Sequence, residues 1–208
     1  MEEMNIQLND QSNELTQLVK SISACQICAG VLPHQPRPVI LVSQSAKILI
    51  VGQAPGRKVH ETGIPFNDAS GQRLREWLGV TEAQFYDPNL FAIIPMGFCF
   101  PGTGKQGDLP PRPECAKHWR AQLLRLLPNI QLTIVIGQYA QAYHFNDKKM
   151  SVTERVKNWQ QYWPSRIPLP HPSPRNRIWL KRNPWYEQKL IPKLRSEVKN
   201  CLYLEEVE

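Results

Sequence analysis

The chain has 208 residues, 41% of them hydrophobic, and carries 25 Lys+Arg against 18 Asp+Glu, a net charge of +7. That length suits a single domain over residues 1–208, and the absence of any apolar run near the ~18 residues needed to cross a bilayer excludes an integral membrane protein. The acidic, polar start MEEMNIQLND lacks the basic and apolar parts of a secretory signal, so a cytoplasmic location is expected, and the protein is treated as a monomer.

In chain order, residues 1–24 form an N-terminal helix whose amphipathic part, 5–24, places Leu8, Leu15, Leu18, Val19 and Ile22 on one face and leaves Ile6 off it. KILIVG (47–52) is a short run of β-branched residues ending in glycine and reads as a buried parallel strand. FAIIPM (91–96) and LTIVIG (132–137) have the same character, with RIPLP (166–170) a weaker fourth strand. Between them lie helical patterns at Leu74, Trp77 and Leu78, at Trp119, Leu123, Leu124 and Leu127, and at Val152, Val156 and Trp159. A last helix is expected from Pro184 to about Lys199, followed by an acidic tail at 201–208 that holds Cys201. Strands alternating with helices predict an α/β layer architecture around a parallel sheet, with ligands beyond the carboxyl ends of the strands.

The charge is unevenly distributed. Residues 1–24 and 201–208 carry −3 each, so the body between them carries +13, of which +7 falls in 166–199 beside Trp179, Trp185 and Tyr186. Basic side chains interleaved with aromatics suit a polyanion with stackable bases, and a solvated basic helix face is the alternative. The 19 prolines cluster at 33–38, 110–113 and 164–174, and read as rigid loops on a folded scaffold.

Two loops fall at expected strand ends. In GQAPGRKVHETGIPFND (52–68), Gly52 and Gly56 bracket a turn whose backbone can approach a ligand closely, Pro55 stiffens it, and Gly63-Ile64-Pro65-Phe66 presents an aromatic from a second turn. In HPSPRN (171–176), Pro172 and Pro174 fix a narrow loop with His171 at its base and Arg175 and Arg177 about its tip. Five cysteines in a cytoplasmic setting argue against disulfides. Cys25 and Cys28 have the C-x2-C spacing that lets two thiolates share a metal, while Cys99 and Cys115 bracket a loop rich in glycine and proline. Tetrahedral zinc suits four thiolates, and buried free thiols are the alternative.

Taken together, the G-Q-x-P-G turn, T-G-x-P-F and H-P-S-P-R-N resemble the uracil-DNA glycosylase superfamily, over about Cys25 to Asn200. HPSPRN is most similar to the single-strand-selective monofunctional branch, and the four-cysteine pattern to the family 4 enzymes. The resemblance implies a three-layer sandwich, a four-stranded parallel sheet flanked by helices. It also implies a DNA repair enzyme that flips a deaminated base such as uracil out of DNA and hydrolyses its N-glycosidic bond. By the same resemblance, His171 donates to the departing base and Phe66 stacks on it. Gly52, Gln53, Ala54, Pro55 and Gly56 line the sugar or base, and Ser173, Pro174, Arg175 and Arg177 engage the DNA. Cys25, Cys28, Cys99 and Cys115 hold a 4Fe–4S cluster, with zinc as the alternative.

The departures from the family pattern are specific. Where members carry a carboxylate or a water-orienting amide in the second or third position of the first motif, this chain has Gln53 and Ala54, of which only Gln53 can orient a water. Glu61, Asn67 and Asp68 are nearby substitutes. The family 4 asparagine that reads uracil is replaced by Pro95, for which Asn67 is a stand-in unless Asn67 and Asp68 cap the helix starting near Ser70. These replacements also suit a catalytically weak or inactive member that binds DNA and senses damage.

Overall fold

The computed structural model describes residues 2–105, 107–147 and 149–203. The helix α1 (Glu2–Ser23) leads to the strand β1 (Ile48–Val51), followed by α2 (Arg57–Thr62), α3 (Ala69–Leu78), α4 (Glu82–Phe85) and β2 (Phe91–Ile93). A two-stranded hairpin, β3 (Thr103–Gly104) and β4 (Gly107–Asp108), precedes α5 (Pro113–Cys115), a π-type turn over Ala116–Arg120 and α6 (Ala121–Arg125). The chain continues through β5 (Leu132–Ile136), α7 (Gly137–His144), α8 (Val152–Lys157), β6 (Arg166–Leu169), α9 (Arg177–Arg182) and α10 (Ile191–Tyr203).

The main sheet is parallel throughout, in the order β2-β1-β5-β6. Ile50 lies opposite Ile134, which lies opposite Ile167, so one apolar row crosses three strands. Successive side chains on a strand point to opposite faces. Ile48 and Ile50 therefore join Leu74 and Trp77 of α3 and Leu194 of α10, while Leu49 and Val51 join Leu15, Leu18 and Ile22 of α1 and Leu123 of α6. Both faces are covered, which explains why the strands read as mainly apolar runs, broken only by Thr133 in β5 and by Arg166 at the start of β6. Each large side chain so buried contributes about 1.5–3 kcal/mol. Pro168 is accommodated because β6 is an edge strand pairing only with β5.

The three-layer sandwich expected from the sequence is thus present, with differences at its margins. Leu8 lies outside the described side chains. The last helix runs to Tyr203, so Cys201 is not in a tail: it is buried in the core with Leu202, and the following residues, 204–208, lie outside those described. No helix is expected from the sequence at α2, α4, α7 or α9. α2 has a single buried residue, Val59, and α7 starts at Gly137 with no side-chain cap. No described helix is long and apolar enough to cross a membrane.

The strand order reverses at β1: the chain first pairs β2 on one side and then returns to place β5 on the other. Parallel sheets open a crevice at such a point, beyond the carboxyl ends of the strands. The segments leaving β1, β2 and β6 meet there.

Candidate active site

The segment after β1 is held by its backbone. The Gly52 carbonyl accepts from the Met96 N–H at 2.9 Å and the Gln53 carbonyl from the Gly97 N–H at 2.9 Å, which ties the turn to the continuation of β2. Beyond α2 the chain reverses through Phe66, whose φ of 53° is unusual for an aromatic residue and costs about 1–3 kcal/mol. Gly71 makes room for it: a Cβ there would lie 1.7 Å from the Phe66 carbonyl oxygen, whereas one on Gly52 would only reach contact distance of the ring, 3.4 Å from Phe66 Cζ. Asp68 caps α3, its Oδ1 accepting from the Gly71 N–H at 2.9 Å, which is the capping role anticipated for it.

The segment after β6 is braced just as closely. The Ser173 N–H donates to His171 Nδ1 at 3.2 Å. An accepting Nδ1 carries no proton, so the neutral ring holds its hydrogen on Nε2. Burial keeps the imidazole below the usual histidine range, against the pull of the Asp68 and Asp108 carboxylates. Asn176 Nδ2 donates to the His171 carbonyl at 2.6 Å, and Arg73 donates to the Ser173 carbonyl at 3.1 Å. Neither Asn176 nor Arg73 was assigned a function from the sequence.

These segments enclose a cavity of about 420 Å³, large enough for a nucleobase. Its wall contains Gly52 to Gly56 and Phe66 from the first loop, and His171, Ser173 and Arg175 from the second. Pro95 is part of the wall too. Asn67 is not, because the wall passes from Phe66 to Asp68, and Pro174 and Arg177 are exposed outside it. The side-chain amide of Gln53 faces the β3–β4 hairpin and donates to the Leu109 carbonyl at 3.2 Å. Asp108, from the same hairpin, closes one side of the cavity. It carries no signal in the sequence, because it sits in an aperiodic loop, 40 residues beyond the first cavity loop, which ends at Asp68.

The aromatics of the basic C-terminal segment do not form a stacking platform. Trp179, Trp185 and Tyr186 pack edge to face at 5.5–6.2 Å against the core, and Trp179 Nε1 donates to Thr153 Oγ1 at 2.8 Å. The amphipathic periodicity of that segment outweighs its charge pattern, and its aromatics face inward.

Cys25, Cys28, Cys99 and Cys115 line one small pocket whose other walls include Leu32, Phe98 and Trp119. All are free thiols. Burial raises the Cys28 and Cys115 thiols and pushes Cys99 up to about 12, so in the absence of a metal these three are protonated at neutral pH. The Phe98 N–H points at Cys115 Sγ at 3.4 Å, and Arg112, paired with Glu114 (Nε to Oε2 3.1 Å), adds a cation to the wall. Among the described residues, no three His, Cys, Asp or Glu are arranged to hold a single metal ion. Four thiols converging on one apolar pocket, with a backbone N–H and a guanidinium beside them, nonetheless match the donors of a polynuclear cluster, whose ligands surround a larger body than one ion.

Fold and site together define a parallel α/β protein with its ligand cavity over the strand-order reversal. The family model described as the uracil DNA glycosylase superfamily matches residues 40–195, and the chain belongs to that superfamily. Among curated proteins it is similar to the Type-4 uracil-DNA glycosylase of Archaeoglobus fulgidus, 26% identical over 148 residues that cover 69% of this chain and 70% of the relative. It is likewise similar to the Type-4 uracil-DNA glycosylase of Thermotoga maritima, 24% identical over 164 residues that cover 76% of this chain and 80% of the relative.

Proposed function

We propose that the protein is a monofunctional DNA glycosylase that takes a deaminated base, uracil foremost, out of the DNA stack and hydrolyses its N-glycosidic bond. The observation that carries this reading is the pairing, in one cavity, of Phe66 with a His171 ring whose hydrogen is held on Nε2. As the glycosidic bond lengthens, its electron pair moves into the base and negative charge gathers on a base oxygen. An Nε2–H donor stabilises that charge, and a neutral imidazole donates without a prior protonation step. A positioned donor of this kind contributes about 10²–10³ in rate.

Phe66 stacks on the extruded base, an interaction worth about 1–3 kcal/mol. The Gly52 to Gly56 turn lets backbone approach the sugar. Ser173, Pro174 and Arg175 press on the DNA strand and occupy the vacated stack, and Arg177 meets phosphate. Asn67, the stand-in for the base-reading asparagine, does not line the cavity, so base reading falls to Phe66 and His171. Cys25, Cys28, Cys99 and Cys115 hold a 4Fe–4S cluster, which when bound cross-links the segment after α1 to both ends of the 99–115 loop.

The decisive experiment offers oligonucleotides containing uracil, hypoxanthine or xanthine, single-stranded and paired, and cleaves the resulting abasic sites with alkali. Excision that His171→Ala abolishes is the expected result. Tight binding of the damaged strands without product would instead support a damage-sensing protein, the reading favoured by Gln53, Ala54 and Pro95 at positions where the family pattern has a carboxylate, a water-orienting amide or a base-reading asparagine. Absorption near about 400 nm distinguishes the iron–sulfur cluster from zinc.

A further inference from the structure

We propose that Asp108 is the carboxylate of this site, supplied by the β3–β4 hairpin in place of the one missing from the first motif. The inference rests on the glycosylase reading and extends it. The turn after β1 offers only Gln53 and Ala54, and neither can take a proton from water. Of the carboxylates near it, Glu61 does not line the cavity, while Asp68 commits Oδ1 to the cap of α3. Asp108 lines the cavity and faces the glycine turn: a Cβ placed on Gly56 would lie 3.4 Å from its Oδ2.

The hairpin that carries Asp108 is contacted by two side chains of the cavity wall, Gln53 and Arg175, and by Arg57 from the start of α2. Gln53 donates to the Leu109 carbonyl at 3.2 Å, Arg57 Nη2 donates to Thr103 Oγ1 at 3.4 Å, and the Arg175 guanidinium lies against Gly107, 2.9 Å from where a Cβ would be. Gln53, which occupies the motif position, thus positions the residue that replaces it.

The chemistry balances with water as the only co-reactant. The bond from C1′ to the base nitrogen breaks and its pair leaves with the base, which His171 Nε2–H stabilises. Asp108 offsets the positive charge left on the sugar and accepts a proton from the water whose oxygen bonds to C1′. That proton then returns through solvent to the base, and Asp108 is ionised again. Partial desolvation raises the Asp108 carboxyl above the usual aspartate range although the residue as a whole is exposed, and Asp68 adds to this, while Arg175, Arg57 and His171 oppose it. Activity must therefore fall as pH drops through that raised value.

The test compares wild type, Asp108→Asn and the double variant Asp108→Asn with Gln53→Glu on uracil-containing DNA under single-turnover conditions. The expected result is a loss of about 10²-fold in rate for Asp108→Asn, disappearance of its acid limb, and recovery of about tenfold in the double variant. A second readout does not need turnover: binding to a strand with a cationic pyrrolidine abasic analogue against the neutral tetrahydrofuran analogue. Wild type should prefer the cation, and Asp108→Asn should lose that preference by about tenfold while holding the neutral strand unchanged. Excision within twofold of wild type in Asp108→Asn, or loss of the acid limb in Asp68→Asn alone, overturns the assignment. A wild type that excises nothing overturns the glycosylase reading, and the analogue comparison then decides on Asp108 by itself.

Discussion

The molecule has two concave sites with opposite character. The cavity over the strand ends is open, polar and assembled from short loops, each fixed by its own backbone hydrogen bonds. The cysteine pocket is small and apolar, and its walls come from segments that share no strand. The first arrangement admits a ligand that must leave again, whereas the second suits one that stays. They are nevertheless joined by one stretch of chain: Cys99 and Cys115 line the cysteine pocket, and Gly107 and Asp108, between them, line the cavity. A group that holds the ends of this loop also bears on the catalytic geometry at its tip.

The sharpest separation of the two sites comes from His171→Ala, expected to cut excision by about 10²–10³-fold while leaving the visible spectrum unchanged, since His171 lines the cavity and not the cysteine pocket. Gly71→Ala should lower stability by about 3 kcal/mol, read as a shift in urea midpoint with unchanged slope, because the Phe66 carbonyl leaves no space for a methyl group. Cys99→Ser should abolish the visible absorption and slow excision by up to about 10²-fold, an intermediate effect because Gln53 still holds the hairpin at Leu109. If the two sites are independent, the rate will not change. The smallest effect concerns pH. Three of the thiols are held above their ordinary range by burial, with Cys99 at about 12, and binding iron expels their protons. Reconstitution with iron and sulfide should therefore be more complete at about pH 8.5 than at about pH 6.5, and a flat profile would count against thiolate ligation.

Much of the architecture was legible in the chain because both faces of the sheet are covered. Ile48 to Val51 is apolar without interruption for that reason, and Leu132 to Ile136 is interrupted only by Thr133, while the prolines and glycines of 52–68 and 171–176 mark turns that the structure contains. What could not be read depends on distance in space. Asp108 has no periodicity about it and gains meaning only when the hairpin folds over Gly56. Arg120 looks like a surface residue in a basic stretch but is fully buried, donating to the Ile94 carbonyl at 3.0 Å and also to Pro95, so that it fixes the end of β2 where the cavity wall begins. The aromatics at 179–186 illustrate the reverse error, in which a composition typical of nucleic-acid surfaces belongs to a helix packed inward.

The contact between Gly71 and Phe66 has a consequence for recognising related chains. The left-handed aromatic residue can exist only if the first turn of α3 lacks a side chain at that height, so the working unit of the first motif does not stop at the phenylalanine. It continues through the capping aspartate to a glycine five positions after the aromatic residue. A distant sequence that keeps the aromatic but fills that glycine must turn its backbone another way, and its ring will not occupy the same wall. The glycine is thus a better guide than the phenylalanine to which relatives share this pocket.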